Sequence, residues 1–165
     1  MHIKTKIDTK KYLKLMFYLT YKKPLIILMH LIGVVTFIYS LLYFSGIIIL
    51  EEMPLIPLIF GFIMTFMIPI SLYKNFKKNF LSNKRIQENI EYEFTNVKMK
   101  IIGESFNSEL ELNKVHKIVE LKNWFLIYQS EQVANLIPTE NLNENEVKVL
   151  REIFRNQSNV KLELK

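Results

Sequence analysis

The feature that most constrains this chain is a run of fifty residues, Pro24 to Tyr73, whose only charged side chains are the neighbours Glu51 and Glu52. The sole histidine in the run is His30. Residues 24–50, "PLIILMHLIGVVTFIYSLLYFSGIIIL", hold no formal charge across 27 positions. As a helix this stretch spans about 40 Å, more than the roughly 30 Å hydrocarbon layer of a bilayer. Tilt or overhang into the headgroups is therefore expected. Residues 54–73, "PLIPLIFGFIMTFMIPISLY", are 20 in number and just long enough to cross. A core helix of a soluble protein carries a polar stripe, and neither segment has one. The expectation is a transmembrane hairpin of helices over 24–50 and 54–73, with Glu51 and Glu52 as the wet tip of an external turn, 51–53.

Charge follows the same division. The net charge is +6, yet residues 1–23 alone carry +6, residues 74–85 carry +5, and residues 86–165 carry −3. All the excess positive charge flanks the apolar run. Twelve Lys and Arg on the flanks and none in the turn put both termini in the cytoplasm by the positive-inside rule, and the chain in the inner (cytoplasmic) membrane. A cleaved signal peptide has a shorter apolar region and no second span, so that reading fails. The mildly acidic C-terminal part is ill suited to gripping phosphate backbones, and no nucleic-acid partner is expected. There is no cysteine, which excludes disulfides, thiolate metal ligands and Cys nucleophiles.

A hairpin turning near residue 52 brings together positions that sum to about 104. On the first helix Gly33, Thr36, Ser40 and Tyr43 recur at the spacing of a packing seam, and on the second Gly61 and Thr65 form a small-xxx-small pair. Thr65 then faces Tyr39 and Ser40, with a hydrogen bond expected there. Helix packing explains these polar groups better than a solute path, which usually needs charged side chains. His30 reads as an interfacial histidine, and Pro57 and Pro69 are expected to bend the second helix.

The arm over residues 1–23 contains a short amphipathic helix with Asp8 as N-cap, broken at Lys23 where Pro24 opens the next helix. Tyr12, Leu13, Met16 and Leu19 share one face, opposite Lys10, Lys11 and Lys14. That face suits either an anionic lipid surface or packing against the cytoplasmic domain.

Residues 74–165 form that domain, and from residue 86 the period changes to two. Ile90, Tyr92 and Phe94 share a face of one strand, and Val97, Met99 and Ile101 of the next, with Thr95–Asn96 as the hairpin turn. "ELELN", "KVHKIVEL", "WFLIYQ" and "VANLIP" follow as strands, Lys122–Asn123 making a tight turn and Pro138 ending the last. A helix then starts at Asn143 with Glu146 at N3, a capping box, and Leu142 with Val147 as a hydrophobic staple. Val147, Leu150, Ile153 and Phe154 form its buried stripe. About six antiparallel strands closed by one helix outline a small pleckstrin-homology-like (PH-like) barrel or sandwich. The class is thus an α+β membrane protein. The tail "NVKLELK" alternates and fits a further strand or a loose end.

The chain resembles the YcxB-like family of bacterial membrane proteins nearly end to end. The resemblance lies in "IDTKKYLK" and "YKKP", in the two spans, and above all in "KIVELKNWFLIYQSEQVANLIPTENLNENE". It departs at Asn113–Lys114, where the family often has a Trp. What the resemblance implies is a cytoplasmic domain similar to bacterial PH-like modules, with no activity to carry over.

No Gly-rich phosphate loop, His-Glu-x-x-His, G-x-S-x-G or paired Asp cluster occurs. His116 and Glu120 share a strand face about 13 Å apart, too far for a metal site by themselves. Trp124 and Tyr128 are candidates for a domain groove, although aromatic hairpin packing is the commoner explanation. No cofactor and no catalytic residue are expected. The leading functional expectation is a non-enzymatic protein of the inner membrane, embedded in the lipid bilayer, whose small domain binds an unknown protein partner or forms homo-oligomers. Immunity against a membrane-acting toxin, and a small oligomeric channel or transport subunit, are the alternatives.

Overall fold

The computed structural model describes residues 1–140 and 142–165. The chain divides into two compact units, residues 1–7 with 84–165, and residues 8–83. The helical unit is thus an insertion in the β unit, leaving after the first strand and returning before the second.

In the helical unit, α1 (Thr9–Tyr21) starts where Asp8 accepts a hydrogen bond from the Lys11 N–H at 2.7 Å. Helix α2 (Pro24–Phe44) opens on a proline, tolerated because an N1 amide needs no intrahelical partner. It stops at Phe44, well before the apolar run ends at Leu50. Gly46 takes φ +76°, the Gly46 N–H donates to the Tyr43 carbonyl and the Ile47 N–H to that of Leu42. This is a Schellman ending, which needs a residue able to adopt left-handed backbone. The connection to the next helix is consequently 45–54, longer than the expected turn at 51–53.

The second long segment is continuous from Leu55 to Ser82 and runs well past Tyr73. It comprises α3 (Leu55–Phe62), a π-helical turn (Ile63–Met67) and α4 (Ile68–Ser82). Pro69 has no N–H and its ring crowds the carbonyl four residues back, that of Thr65. The wider π turn just before it absorbs that misfit. Pro57 lies in the first turn of α3, where no amide donor is required, and leaves the helix unbroken. Pro24–Phe44 and Leu55–Ser82 are long and apolar enough to cross a membrane. Helix α1 lies antiparallel to α4, with Tyr12 5.2 Å from Phe80 and Phe17 edge-on to Phe76 at 5.4 Å between ring centroids. Aromatic rings of α1 thus pack on Phe76 and Phe80, residues that the sequence boundary at 74 assigned to the cytoplasmic domain but that belong to the extension of the second long helix.

Among the described residues the β unit holds two four-stranded sheets, eight strands where about six were expected. Strands β1 (His2–Thr5), β2 (Ile90–Phe94), β3 (Lys98–Ile102) and β4 (Asn107–Glu111) form one antiparallel sheet in that order. The second has the order β7-β6-β5-β8, built from β5 (Lys117–Leu121), β6 (Trp124–Tyr128), β7 (Ala134–Pro138) and β8 (Lys161–Glu163). The alternating tail is strand β8, parallel to β5. A four-residue helix, α5 (Lys84–Gln87), precedes β2. The β2–β3 turn is shifted by one from expectation. Thr95 and Lys98 bond to each other, so Asn96–Val97 make its tip and Val97 is exposed. Lys122–Asn123 join β5 to β6 as expected, because Leu121 pairs with Trp124.

Helix α6 (Glu144–Arg155) has the full capping box: Asn143 Oδ1 accepts from the Glu146 N–H at 2.9 Å, and Glu146 Oε2 from the Asn143 N–H at 2.8 Å. Leu150, Ile153 and Phe154 are buried, and Val147 half-buried. Phe154 meets Phe94 and Phe125 edge-on, at 5.8 and 5.4 Å, in a core that also takes Ile3, Tyr92, Met99, Ile118 and Ile137.

Candidate functional site

Three groups of side chains stand out. The first is the seam between α2 and the second long segment. A Cβ added to Gly33 would lie 2.3 Å from Met64 Cβ, and one added to Gly61 would lie 2.5 Å from the Phe37 backbone nitrogen. Both glycines therefore mark true close approaches. The register differs from expectation by six to seven residues, nearly two helical turns, since Gly33 meets Met64 rather than position 71 and Gly61 meets Phe37 rather than position 43. The physical reason is the early end of α2, which centres the hairpin near residue 49 rather than 52. The expected Thr65–Ser40 hydrogen bond is not formed. Ser40 is fully buried and its hydroxyl donates to the Thr36 carbonyl at 2.9 Å. The Thr36 hydroxyl donates to the carbonyls of Ile32 and Gly33. Thr65 Oγ1 is buried without a partner among the described residues. Tyr39 is exposed, and Tyr43 stacks edge-on against its neighbour Phe44 at 5.4 Å. Gly33 and Gly61 thus act in packing, while Thr36 and Ser40 turn their hydroxyls back on their own helix. Tyr21 meets His30 edge-on at 5.7 Å.

The second group lies on the β5–β6 hairpin. Trp124 and Tyr128 project from the same face of β6, at opposite ends of the strand. Trp124 is buried and pairs across the hairpin with Leu121. Tyr128 lies opposite Lys117, whose Nζ is 4.7 Å from the ring centroid. Burial, with a smaller contribution from the Glu163 charge, pushes the Tyr128 phenol up. Val119 and Leu126 fill the same face between the two aromatic residues.

Glu120 was readable in sequence only as a neighbour of His116. The exposed His116 imidazole and Glu120 do not converge. Glu120 shares the inward parity of Ile118, and its carboxylate receives Arg151 Nη2 at 2.7 Å and Nε at 3.0 Å. The Lys165 N–H adds a third donor at 3.0 Å. Burial raises this carboxyl, but the Arg151 hydrogen bonds, the Lys165 amide and the nearby positive charge outweigh it and hold the pKa below the ordinary value. The signal available in sequence was a carboxylate at a core-facing position, which calls for a cation. No three His, Cys, Asp or Glu side chains are grouped to hold a metal ion among the described residues.

The third group escaped sequence reasoning because it lies beyond the expected end of the span. Tyr73, Lys74, Lys77, Lys78, Leu81 and Ser82 line a shallow, open trough along α4.

Residues 94–154, from the end of β2 through most of α6, match the family model described as YcxB-like protein. The chain carries a YcxB-like domain over these residues. No curated protein and no solved structure matches the chain.

Proposed function

We propose that this chain is a non-enzymatic protein of the bacterial inner membrane that holds a PH-like domain at the cytoplasmic face, where the domain binds a protein partner or a second copy of the chain. The observation that carries the reading is the pairing of β1 with β2, in which His2 faces Glu93 and Thr5 faces Ile90. Strands that share a ladder lie on one side of a bilayer, so the chain between them crosses an even number of times. Two apolar segments in that interval satisfy this requirement. The positive flanks support a cytoplasmic location for the shared side. Two four-stranded sheets and helix α6 support the PH-like assignment.

Protease added to spheroplasts should leave the β unit intact, and protease added to inverted vesicles should digest it; cleavage from outside refutes the orientation. Affinity capture and mass measurement in mild detergent address the interaction. A monomer that retains no partner removes that half of the proposal.

A further inference from the structure

Helix α4 has two unlike faces over its last two and a half turns. Phe76 and Phe80 stack against α1. On another face Lys74, Lys77 and Lys78 share the trough with Tyr73 and Leu81. Lysines at i, i+3 and i+4 repel one another on a helix. No carboxylate relieves them: these three lysines have no ion-pair partner among the described residues, and residues 53–87 contain no acid at all. An anion from outside the chain is therefore the missing counterpart.

Depth identifies that anion. Rising 1.5 Å per residue, Lys74 to Lys78 sit about 1.5 to 7.5 Å beyond Tyr73 along the helix. The headgroup layer on each side of the hydrocarbon is roughly 5–7 Å thick. Tyr73, exposed at the end of the apolar run, is of the type that settles at this boundary. The three ammonium groups then lie at the level of lipid phosphates. Exposed Leu81 and the lysine stems give the trough an apolar floor, along which an amphipathic ligand can lie.

We propose that the Tyr73–Lys74–Lys77–Lys78 stripe of α4 is a docking site for the anionic headgroup of an acidic phospholipid in the cytoplasmic leaflet. The inference rests on the membrane reading above and goes beyond it by assigning a ligand class to one face of one helix.

The test uses the full chain reconstituted in vesicles containing phosphatidylglycerol and phosphatidylcholine, with retained lipid counted by native mass spectrometry after mild detergent extraction. The wild type should retain phosphatidylglycerol in preference. The K74Q/K77Q/K78Q variant should lose that preference by roughly a hundredfold at low salt, since each of the three lysines near an anionic surface contributes about fivefold. The K98Q/K114Q/K161Q variant, which removes lysines already paired with Glu109, Glu111 and Glu163, should keep it. An equal fall in both variants, or no fall in the first, overturns the proposal. The charge-preserving K74R/K77R/K78R variant guards against misfolding: it should retain the lipid, and loss of preference there also overturns the proposal. Inorganic phosphate at about tenfold excess over lipid should leave the preference intact, and displacement would overturn the lipid as the source of the anion. An acidic peptide retained in place of lipid would do the same. A wild-type chain that fails to float with vesicles of either composition refutes the membrane reading itself, a result separable from loss of headgroup preference.

Discussion

In the β unit the large apolar side chains, Phe125, Phe154 and Met99 among them, are fully buried, while the first sheet turns Lys4, Glu91, Lys98 and Glu109 outward as cross-strand ion pairs. In the helical unit the order is reversed. Gly33, Ser40 and Gly61 are inside, and Leu25, Val35 and Ile56 point outward. Both units remove from water what water rejects, but the second contributes small residues to its interior and leaves the removal of its large ones to another medium. Exposure thus has opposite meanings in the two units, and substitutions on either side put that to the test.

The largest expected effect is at the centre of the β core. Phe154→Ala should cost about 3–5 kcal/mol, read as lost hydrogen-exchange protection of β5 and β6 amides in the detergent-solubilised chain. A loss below about 1 kcal/mol would place the energetic centre elsewhere. Val35 and Val97 are similarly exposed, at 63% and 54%. Val35→Arg should oppose insertion by roughly 2.5–3.5 kcal/mol, whereas Val97→Arg should change stability by no more than about 0.5 kcal/mol. Equal tolerance at both sites, measured by membrane fractionation and yield, would erase the distinction between the units.

A smaller effect concerns the charged pair inside the β unit. Arg151→Met strands the Glu120 carboxylate, and with the guanidinium partly exposed the loss should be about 2–3 kcal/mol at pH 7. The pH dependence has a definite sign. The folded pKa of Glu120 is depressed, so its stabilisation is complete above the unfolded value of about 4.3 and fades as pH falls through the folded one. The gap between wild type and variant should therefore narrow on acidification. A gap that is constant from pH 7 to pH 3 in denaturant titrations would assign the effect to packing. Smaller again than the loss of Arg151 is Gly46→Ala, expected to cost about 1 kcal/mol at the left-handed position that ends α2. Unchanged thermal stability would mean the helix simply runs on toward Leu50.

How much of this was legible beforehand depends on the range of the interactions involved. The Asp8 cap, the Pro24 start, the Lys122–Asn123 turn and the Asn143–Glu146 box are contacts within four residues, and each appears where the sequence puts it. Strand β1 has only Ile3 and Thr5 to show an alternating face, and its partner lies some 85 positions away. Local periodicity cannot register such a pair. Strand β8 is hidden in the same way. The stop at Ser45–Gly46 was present in the letters but masked by the apolar residues that follow, and the error passed directly into the register of the seam. For the candidate sites, the close approach at Gly33 and Gly61 was readable from small-residue spacing. The Glu120–Arg151 pair joins a strand to a helix 31 positions later, so the core-facing carboxylate calls for a cation without saying which one.

The β1–β2 ladder also dictates a schedule of manufacture. The first strand leaves the ribosome alone and waits for its neighbour while the intervening chain is made, about 4–17 seconds at ordinary elongation rates. Both hydrophobic segments emerge during that interval, so on the proposed membrane reading lipid integration precedes completion of the sheet. A chain whose insertion stalls would be left with an orphaned amino-terminal ribbon and an open sheet margin, the kind of unfinished edge that quality-control proteases and aggregation both find first.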